Sequence, residues 1–437
     1  MIKINLTKKI GIGLLTGIIL GCLSSCNPKA NNNADQLEFW TMQLKPNFDQ
    51  YFANLNATFE TQNQGVKLRW VDVPWEAMEN KIITAISAKT APDVVNLNPK
   101  FASQLATRNA WLDLSKVVDP QSQARYLPKI WQASTIEVCQ DNNTNCQEQV
   151  FGLPWYLTTS ITIYNQQLLK QAGIERSPET YEELAQAAKT IKEKTGKYAF
   201  FITFVATDSG DVLESLVKMG VDLVDESSKA AFNTPEGKAA FQYWVDLYQQ
   251  KLLPPEVLTQ GHRYGIELYQ SGETALLSSG AEFIDGITNN APTIAEVSGV
   301  APQITGKTGK KSVAVMNLVI PRDSDRPQEA VKYALYVTNT ENQLNFAQTS
   351  KVLPSTTEAV EQYIKNIEQQ KQITLADQAK KVSATQLQDA QVLIPVREDI
   401  NILQKAIYEN LQAAMLNEKT VDQALSDAAA EWDNHNQ

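Results

Sequence analysis

Along the chain, stretches where apolar and polar residues alternate give way to stretches where apolar residues recur every third or fourth position. Leu37-Glu38-Phe39-Trp40 predicts a short strand, and Phe52, Leu55 and Phe59 fall at helical spacing within 51–62. Gly65 closes that helix, after which Val66, Leu68 and Trp70 alternate with Lys67 and Arg69 in a second strand. A helix over 75–88 carrying Met78, Ile82 and Ile86 leads to a third strand in the run PDVVNL at 92–97. The grammar then repeats. Ile161 to Tyr164 predicts a strand, and Thr180-Tyr181-Glu182-Glu183 a capping box that opens a helix ending at Gly196. Phe200 to Phe204 predicts another strand, and Thr234-Pro235-Glu236 opens a helix with Phe241, Trp244, Val245 and Tyr248 on its apolar side. Further strands are expected at 275–277 and 313–320, and from about 327 onward the pattern is mostly helical, with Thr420 to Gln423 capping the last helix. Strands alternating with helices predict an α/β fold with mainly parallel sheets.

The N-terminus breaks this pattern. Lys3, Lys8 and Lys9 precede an almost unbroken apolar run at 10–23, then Ser24-Ser25-Cys26, then an abruptly polar stretch. That is the order of a secretory signal peptide, and the run of 14 residues falls short of the ~20 needed to cross a bilayer. Leu23-Ser24-Ser25-Cys26 resembles the bacterial lipobox, in which the cysteine is acylated and begins the mature protein. Ile19-Leu20-Gly21-Cys22 matches less well, because Leu20 stands where a small residue is usual. The expectation is a signal peptide over 1–25, lipidation of Cys26 and a flexible tether over 26–36.

Composition narrows the function classes. The 437 residues carry 39 basic and 49 acidic side chains, a net charge of -10, with no concentrated basic patch, which argues against nucleic acid as a partner. Loss of 1–25 removes three lysines and no acid, so the exported body carries -13. His262 and His435 are the only histidines, which removes most metal sites and most Ser/His or Cys/His catalytic arrangements. No cofactor or metal is expected. Of the four cysteines, Cys22 leaves with the signal and Cys26 carries lipid; Cys139 and Cys146 remain, flanking a polar loop. An exported setting favours a disulfide stapling that loop over a redox or metal pair.

Other motifs dissolve on inspection. Gly306 to Ser312 (GKTGKKS) has the wrong glycine spacing for a phosphate loop, and Lys311 separates Gly309-Lys310 from the hydroxyl residue, so a solvated turn is expected. His262, between glycines with no second ligand at metal spacing, reads as an exposed loop histidine. The informative group is aromatic. Trp40, Trp75, Trp155, Tyr156 and Phe283 all follow or end predicted strands, and ligands of open α/β sheets bind outside strand ends. Rings stack on the CH-rich face of a sugar, and Asp72, Asp93, Asn98 and Asn317 suit its hydroxyls. Trp131, Trp244 and Trp432, inside helical patterns, are assigned to the core.

At these residues the chain resembles the sugar-class extracellular solute-binding proteins of bacterial ABC importers, relatives of maltose-binding protein. The matching stretches keep the family's order: Glu38-Phe39-Trp40, the KIITAISAKTAPDVVNL run at 81–97, and FGLPW at 151–155. After these come Ile163-Tyr164-Asn165, Gln171 to Ile174, Pro178 to Leu184, YQSGETALLSSG at 269–280, Phe346-Ala347 to Leu353-Pro354, and 420–432. Together they cover essentially the whole mature chain. Phe283 departs from the tryptophan common at its position, and the loop between Cys139 and Cys146 is an addition.

The resemblance implies a two-lobed Venus flytrap fold. Lobe 1 would comprise 37–153 and 302–354, and lobe 2 154–301 and 355–437, with crossings near Leu153-Pro154, Ala301-Pro302 and Pro354. It implies a monomeric, lipid-anchored receptor, not an enzyme, that captures a carbohydrate such as maltose, trehalose or glucosylglycerol and delivers it to an ABC permease. Trp40, Trp75, Trp155, Tyr156 and Phe283 would stack, while Asp72, Asp93, Asn98, Asn317 and Arg397 would hydrogen-bond hydroxyls. Two alternatives stay open: a binding protein for glycerol phosphodiesters or polyamines, and an exported glycoside hydrolase with a carboxylate pair.

Overall fold

Strand positions follow the alternation closely in the first third of the chain. The computed structural model describes residues 36–140, 144–394, 397 and 399–435; the signal peptide, Cys22, Cys26 and all but the last residue of the tether lie outside them. The strands are β1 (Gln36–Met42), β2 (Lys67–Val73), β3 (Val94–Leu97), β4 (Thr135–Gln140), β5 (Thr144–Val150) and β6 (Leu153–Thr158). They continue with β7 (Ser160–Asn165), β8 (Leu276–Gly280), β9 (Ser298–Ala301), β10 (Lys311–Ser312), β11 (Ala314–Val319), β12 (Leu353–Pro354) and β13 (Ala390–Gln391).

Two sheets organise the fold: a six-stranded one in the order β12-β6-β11-β3-β1-β2 and a three-stranded one in the order β8-β7-β9. The expected parallel character holds for β1 with β3, but β11 runs antiparallel to both β3 and β6, as β12 does to β6. Both pairings of the three-stranded sheet are antiparallel as well. The reason is connectivity. A strand that arrives from the other sheet needs no crossover helix to return alongside its neighbour, so it can insert in the opposite direction. β6 lies wholly in the larger sheet and β7 wholly in the smaller, so the chain leaves one for the other at Thr159, later than the Leu153-Pro154 crossing anticipated.

Each sheet has its own core. Phe39, Phe52, Trp155, Tyr333 and Phe346 pack on the larger sheet, and Trp155 stacks on Phe346 with centroids 4.7 Å apart. The smaller sheet is covered on one face by Ile161, Ile163, Tyr269 and Ile284, and on the other by a helical cluster around Phe204, Trp244, Tyr408 and Trp432.

Local signals explain most helix ends. Thr180 caps Tyr181–Thr195 through the Glu183 amide, but the Glu183 carboxylate accepts from Arg176 and the Glu179 amide, so only half of the expected capping box forms. The complete box is at Thr374 and Asp377. Phe200 to Phe204 forms no strand. Its amides and carbonyls are met irregularly, with Phe204 N donating to the Val257 carbonyl and Gln412 to the Phe204 carbonyl. β4 and β5 form an antiparallel pair in which Cys139 stands opposite Cys146, while 141–143 of the polar loop expected between them lie outside the described residues.

Candidate functional site

A groove of about 220 Å³ opens where the larger sheet meets the helical cluster packed on the smaller one. One wall is Asn98 and Pro99, where the chain leaves β3; the other is Glu214, Ile394, Arg397 and Ile400; Val313 and Ala314, entering β11, form the floor. Glu214 also lines a smaller cavity of about 70 Å³ on the three-stranded sheet, with Ser160, Ser278, Asp211, Lys218 and His262. Hydroxyl, carboxylate and imidazole groups therefore converge beside an apolar floor, as in small-molecule sites generally.

Among the large apolar side chains, Trp75 (42%) and Phe283 (39%) stand out as exposed aromatics. Trp75 opens the helix Trp75–Ser87, its amide donating to Gln43 Oε1 at 3.3 Å. Phe283 follows β8 and meets the His262 ring at 6.4 Å between centroids. His262 is no loop residue. It begins the helix His262–Gln270, with Nε2 3.3 Å from Ser279 Oγ and Nδ1 3.9 Å from Asp211 Oδ2. Neighbouring Glu282 has its carboxyl pushed up by burial, an effect the nearby His262 partly offsets.

The remaining anticipated contacts are used differently. Trp40 is buried beside the helix Trp75–Ser87, its Nε1 donating to Glu38 and Lys81 Nζ lying 4.1 Å over its ring. Trp155 is fully buried with its Nε1 unpartnered, and Tyr156 is buried beside it, its hydroxyl pushed far up by burial and by the charge of Asp72. Asp72 fastens the turn after β1, accepting from Thr41 Oγ1 (2.7 Å), Leu44 N (2.9 Å) and Lys45 N (3.0 Å). Asp93 precedes β3 and Asn98 follows it, so they occupy opposite ends of the strand. Asp93 accepts from Glu38 N and Ser324 Oγ, while Asn98 caps the helix Pro99–Thr107.

Asn317 is buried in the larger sheet, where Oδ1 accepts from Ser134 at 2.7 Å. Arg397 reaches the groove, yet Nε and Nη2 bind Asp399 and Nη1 binds Ser228. Of the ten positions, the groove thus gathers Asn98 and Arg397, Trp75 and Phe283 stay exposed at strand ends, and the rest are held in local packing or hydrogen bonds.

Nothing in the sequence singles out Glu214, because a Glu four residues before a Lys on the helix Asp211–Lys218 has the spacing of an ordinary surface pair. Both are withdrawn from solvent. Burial pushes the Glu214 carboxyl up and the Lys218 ammonium down, each partly opposed by the other's charge. Among the described residues, no cluster of three or more His, Cys, Asp or Glu is arranged to hold a metal, and no helix is long and apolar enough to cross a membrane.

The family model for bacterial extracellular solute-binding proteins matches residues 43–344, from the turn after β1 into the helix Thr340–Ser350. The chain belongs to that family. Its members are binding proteins, so this solute-binding protein is not an enzyme and the glycoside hydrolase alternative falls. Among solved structures it is similar to a protein from Synechococcus sp. MITs9220 described as a candidate oligosaccharide periplasmic-binding protein. That likeness has 41% identity and a TM-score of 0.82 over 91% of this chain and 98% of the other. The cyclic alpha-maltosyl-1,6-maltose binding protein of Arthrobacter globiformis shares the fold, at 20% identity and a TM-score of 0.76 over 91% and 98%. Among curated relatives, the arabinooligosaccharide-binding protein of Halalkalibacterium halodurans is 24% identical over 69% of this chain and 67% of its own length. The two-lobed, maltose-binding-protein-like architecture of this solute-binding protein is that of these relatives.

Proposed function

We propose that this solute-binding protein captures a neutral di- or oligosaccharide, or a glucoside, between its lobes and delivers it to the permease of an ABC importer. The observation that carries the reading is the groove itself: one wall comes from the larger sheet, the other from the helical cluster packed on the smaller sheet, and its floor is the entry to β11. A ligand touching both walls stabilises the closed arrangement, because only there are all its contacts made. Trp75 and Phe283 supply exposed rings for stacking, and Asp211, Glu214 and Ser278 supply acceptors for hydroxyls. The cations near the groove are committed: Arg397 to Asp399 and Ser228, and Lys218 to a buried position beside Glu214. That disfavours phosphodiesters. The relatives named for arabinooligosaccharide and cyclic maltosyl-maltose point to the same class of ligand.

The same reading includes acylation at Cys26 after removal of 1–25, a tether over 26–36, and a monomer held near its permease, where the anchor raises effective concentration. Cys139 and Cys146, opposite each other across β4 and β5, form a disulfide in this exported setting. The reading also divides the body into two lobes, with the first crossing between them at Thr158-Thr159, where β6 gives way to β7.

Thermal shift of the purified protein against maltose, trehalose, glucosylglycerol, arabinooligosaccharides, spermidine and glycerophosphodiesters tests the proposal. A rise in Tm with at least one neutral sugar is expected. Stabilisation by spermidine or a phosphodiester alone, or by nothing in the panel, overturns it.

A further inference from the structure

Glu214 is the residue shared by the groove and the adjoining cavity, and its two carboxylate oxygens face different partners. Oε1 accepts a 2.5 Å hydrogen bond from the Ser312 hydroxyl. Oε2 lies 3.8 Å from Lys218 Nζ, beyond hydrogen-bond reach, and so retains acceptor capacity.

Ser312 sits in β10, immediately before the chain enters the larger sheet. Its carbonyl accepts from Thr159 Oγ1 (2.8 Å) and Gln303 Nε2 (3.1 Å), and its amide donates to Gln303 Oε1 (2.7 Å). Gln386 Nε2 donates to the same Thr159 Oγ1 (3.0 Å) and to the Ser160 carbonyl (2.7 Å). The stretches around Thr159, Gln303 to Ser312, and Gln386 therefore meet in one buried knot of amides and hydroxyls where the chain passes between sheets. Glu214 ties the groove wall to that knot.

We infer that Glu214 is a positioning residue that couples occupancy of the groove to the hinge. A ligand hydroxyl donating to Oε2 fixes the carboxylate; the fixed carboxylate holds Ser312; and Ser312 holds the crossing strands in the closed arrangement. The step rests on the carbohydrate reading only in naming a hydroxyl as the donor. It requires a charged acceptor, and the environment of Glu214 makes that charge pH-sensitive. Burial and the charge of Asp211 raise its carboxyl, while Lys218 and the Ser312 hydrogen bond oppose them. From other elements, Tyr181, Tyr408, His262 and Arg397 face the same space. A carboxyl raised in the folded protein takes up its proton sooner on acidification than an ordinary glutamate, so the coupling weakens as pH falls from neutral.

The full chain, with Glu214→Gln and Ser312→Ala variants, is measured by small-angle scattering without sugar at pH 8 and pH 5, and by calorimetric titration with maltose. For the wild type, the radius of gyration changes between the two pH values. That change is lost in Glu214→Gln and Ser312→Ala, and Glu214→Gln binds maltose roughly tenfold more weakly at pH 8. Ser312→Ala lies outside the groove lining and keeps the readout interpretable where Glu214→Gln folds poorly. Scattering and pH response indistinguishable from wild type in both Glu214→Gln and Ser312→Ala overturn the inference. If no sugar binds the wild type but the two variants lose the pH response, the carbohydrate proposal fails and the hinge coupling stands.

Discussion

Trp75 and Phe283 have area left to offer a ligand, whereas Trp155 has spent its area on the core. Trp75→Ala and Phe283→Ala are each expected to weaken sugar binding by about 1 kcal/mol, roughly fivefold in Kd, with little change in urea midpoint. Trp155→Ala is expected to lower unfolding free energy by about 3–5 kcal/mol. Calorimetry and denaturation on the same samples separate the two outcomes. Asp113 supplies a pH test. Although its burial alone would raise the carboxyl, hydrogen bonds from Ser115, Lys116 and the Val150 amide hold it below the usual range. A depressed carboxyl stabilises the fold above its unfolded pKa and loses that contribution as pH falls through the folded one. Asp113→Asn therefore costs about 2 kcal/mol at pH 7 and progressively less toward pH 3, read from urea melts at each pH. Side-chain roles were the least legible part of the sequence. Asp72 and Asn98 do lie near strand ends, but a carboxylate or amide there serves a backbone amide as readily as a hydroxyl, and only the turn geometry decides.

Elements were legible wherever period and cap agreed. Thr234-Pro235 and Thr420 begin helices as expected, because each hydroxyl meets an amide of its own first turn. Phe200 to Phe204 failed for the opposite reason. Its apolar, β-prone composition was satisfied by burial in the helical cluster, without a neighbouring strand. β5, beyond the polar run, was not legible because period-two alternation carries little signal in a segment such as TNCQEQV, where neither face is apolar. The capping box at Thr374 was overlooked because an aspartate, not Glu or Gln, closes it. Thr374→Ala is expected to cost about 1 kcal/mol in a urea melt and leave sugar affinity unchanged, since the helix Leu375–Thr385 packs on β9 and β7, away from the groove.

At the scale of the whole molecule, the two-sheet architecture followed from the ordered resemblance, while strand direction did not, because alternation reports which face is buried and not which way a strand runs. One long-range contact joins elements attached to different sheets. Lys351, closing the helix Thr340–Ser350 that packs on β6 and β12, pairs with Asp285 on Ile284–Asn290, directly after Phe283. Both side chains are partly exposed, so the pair contributes no more than about 1 kcal/mol to closure. Lys351→Ala is expected to weaken sugar binding by no more than about fivefold, with the difference from wild type shrinking in high salt, as titrations at two salt concentrations would show.

The position of β11 also governs when the molecule comes into being. It lies between β6 and β3, so the middle of the larger sheet is supplied by residues 314–319, long after both neighbours have been made. A nascent chain that has not reached those residues holds β3 and β6 with unpaired inner edges and cannot close its first lobe.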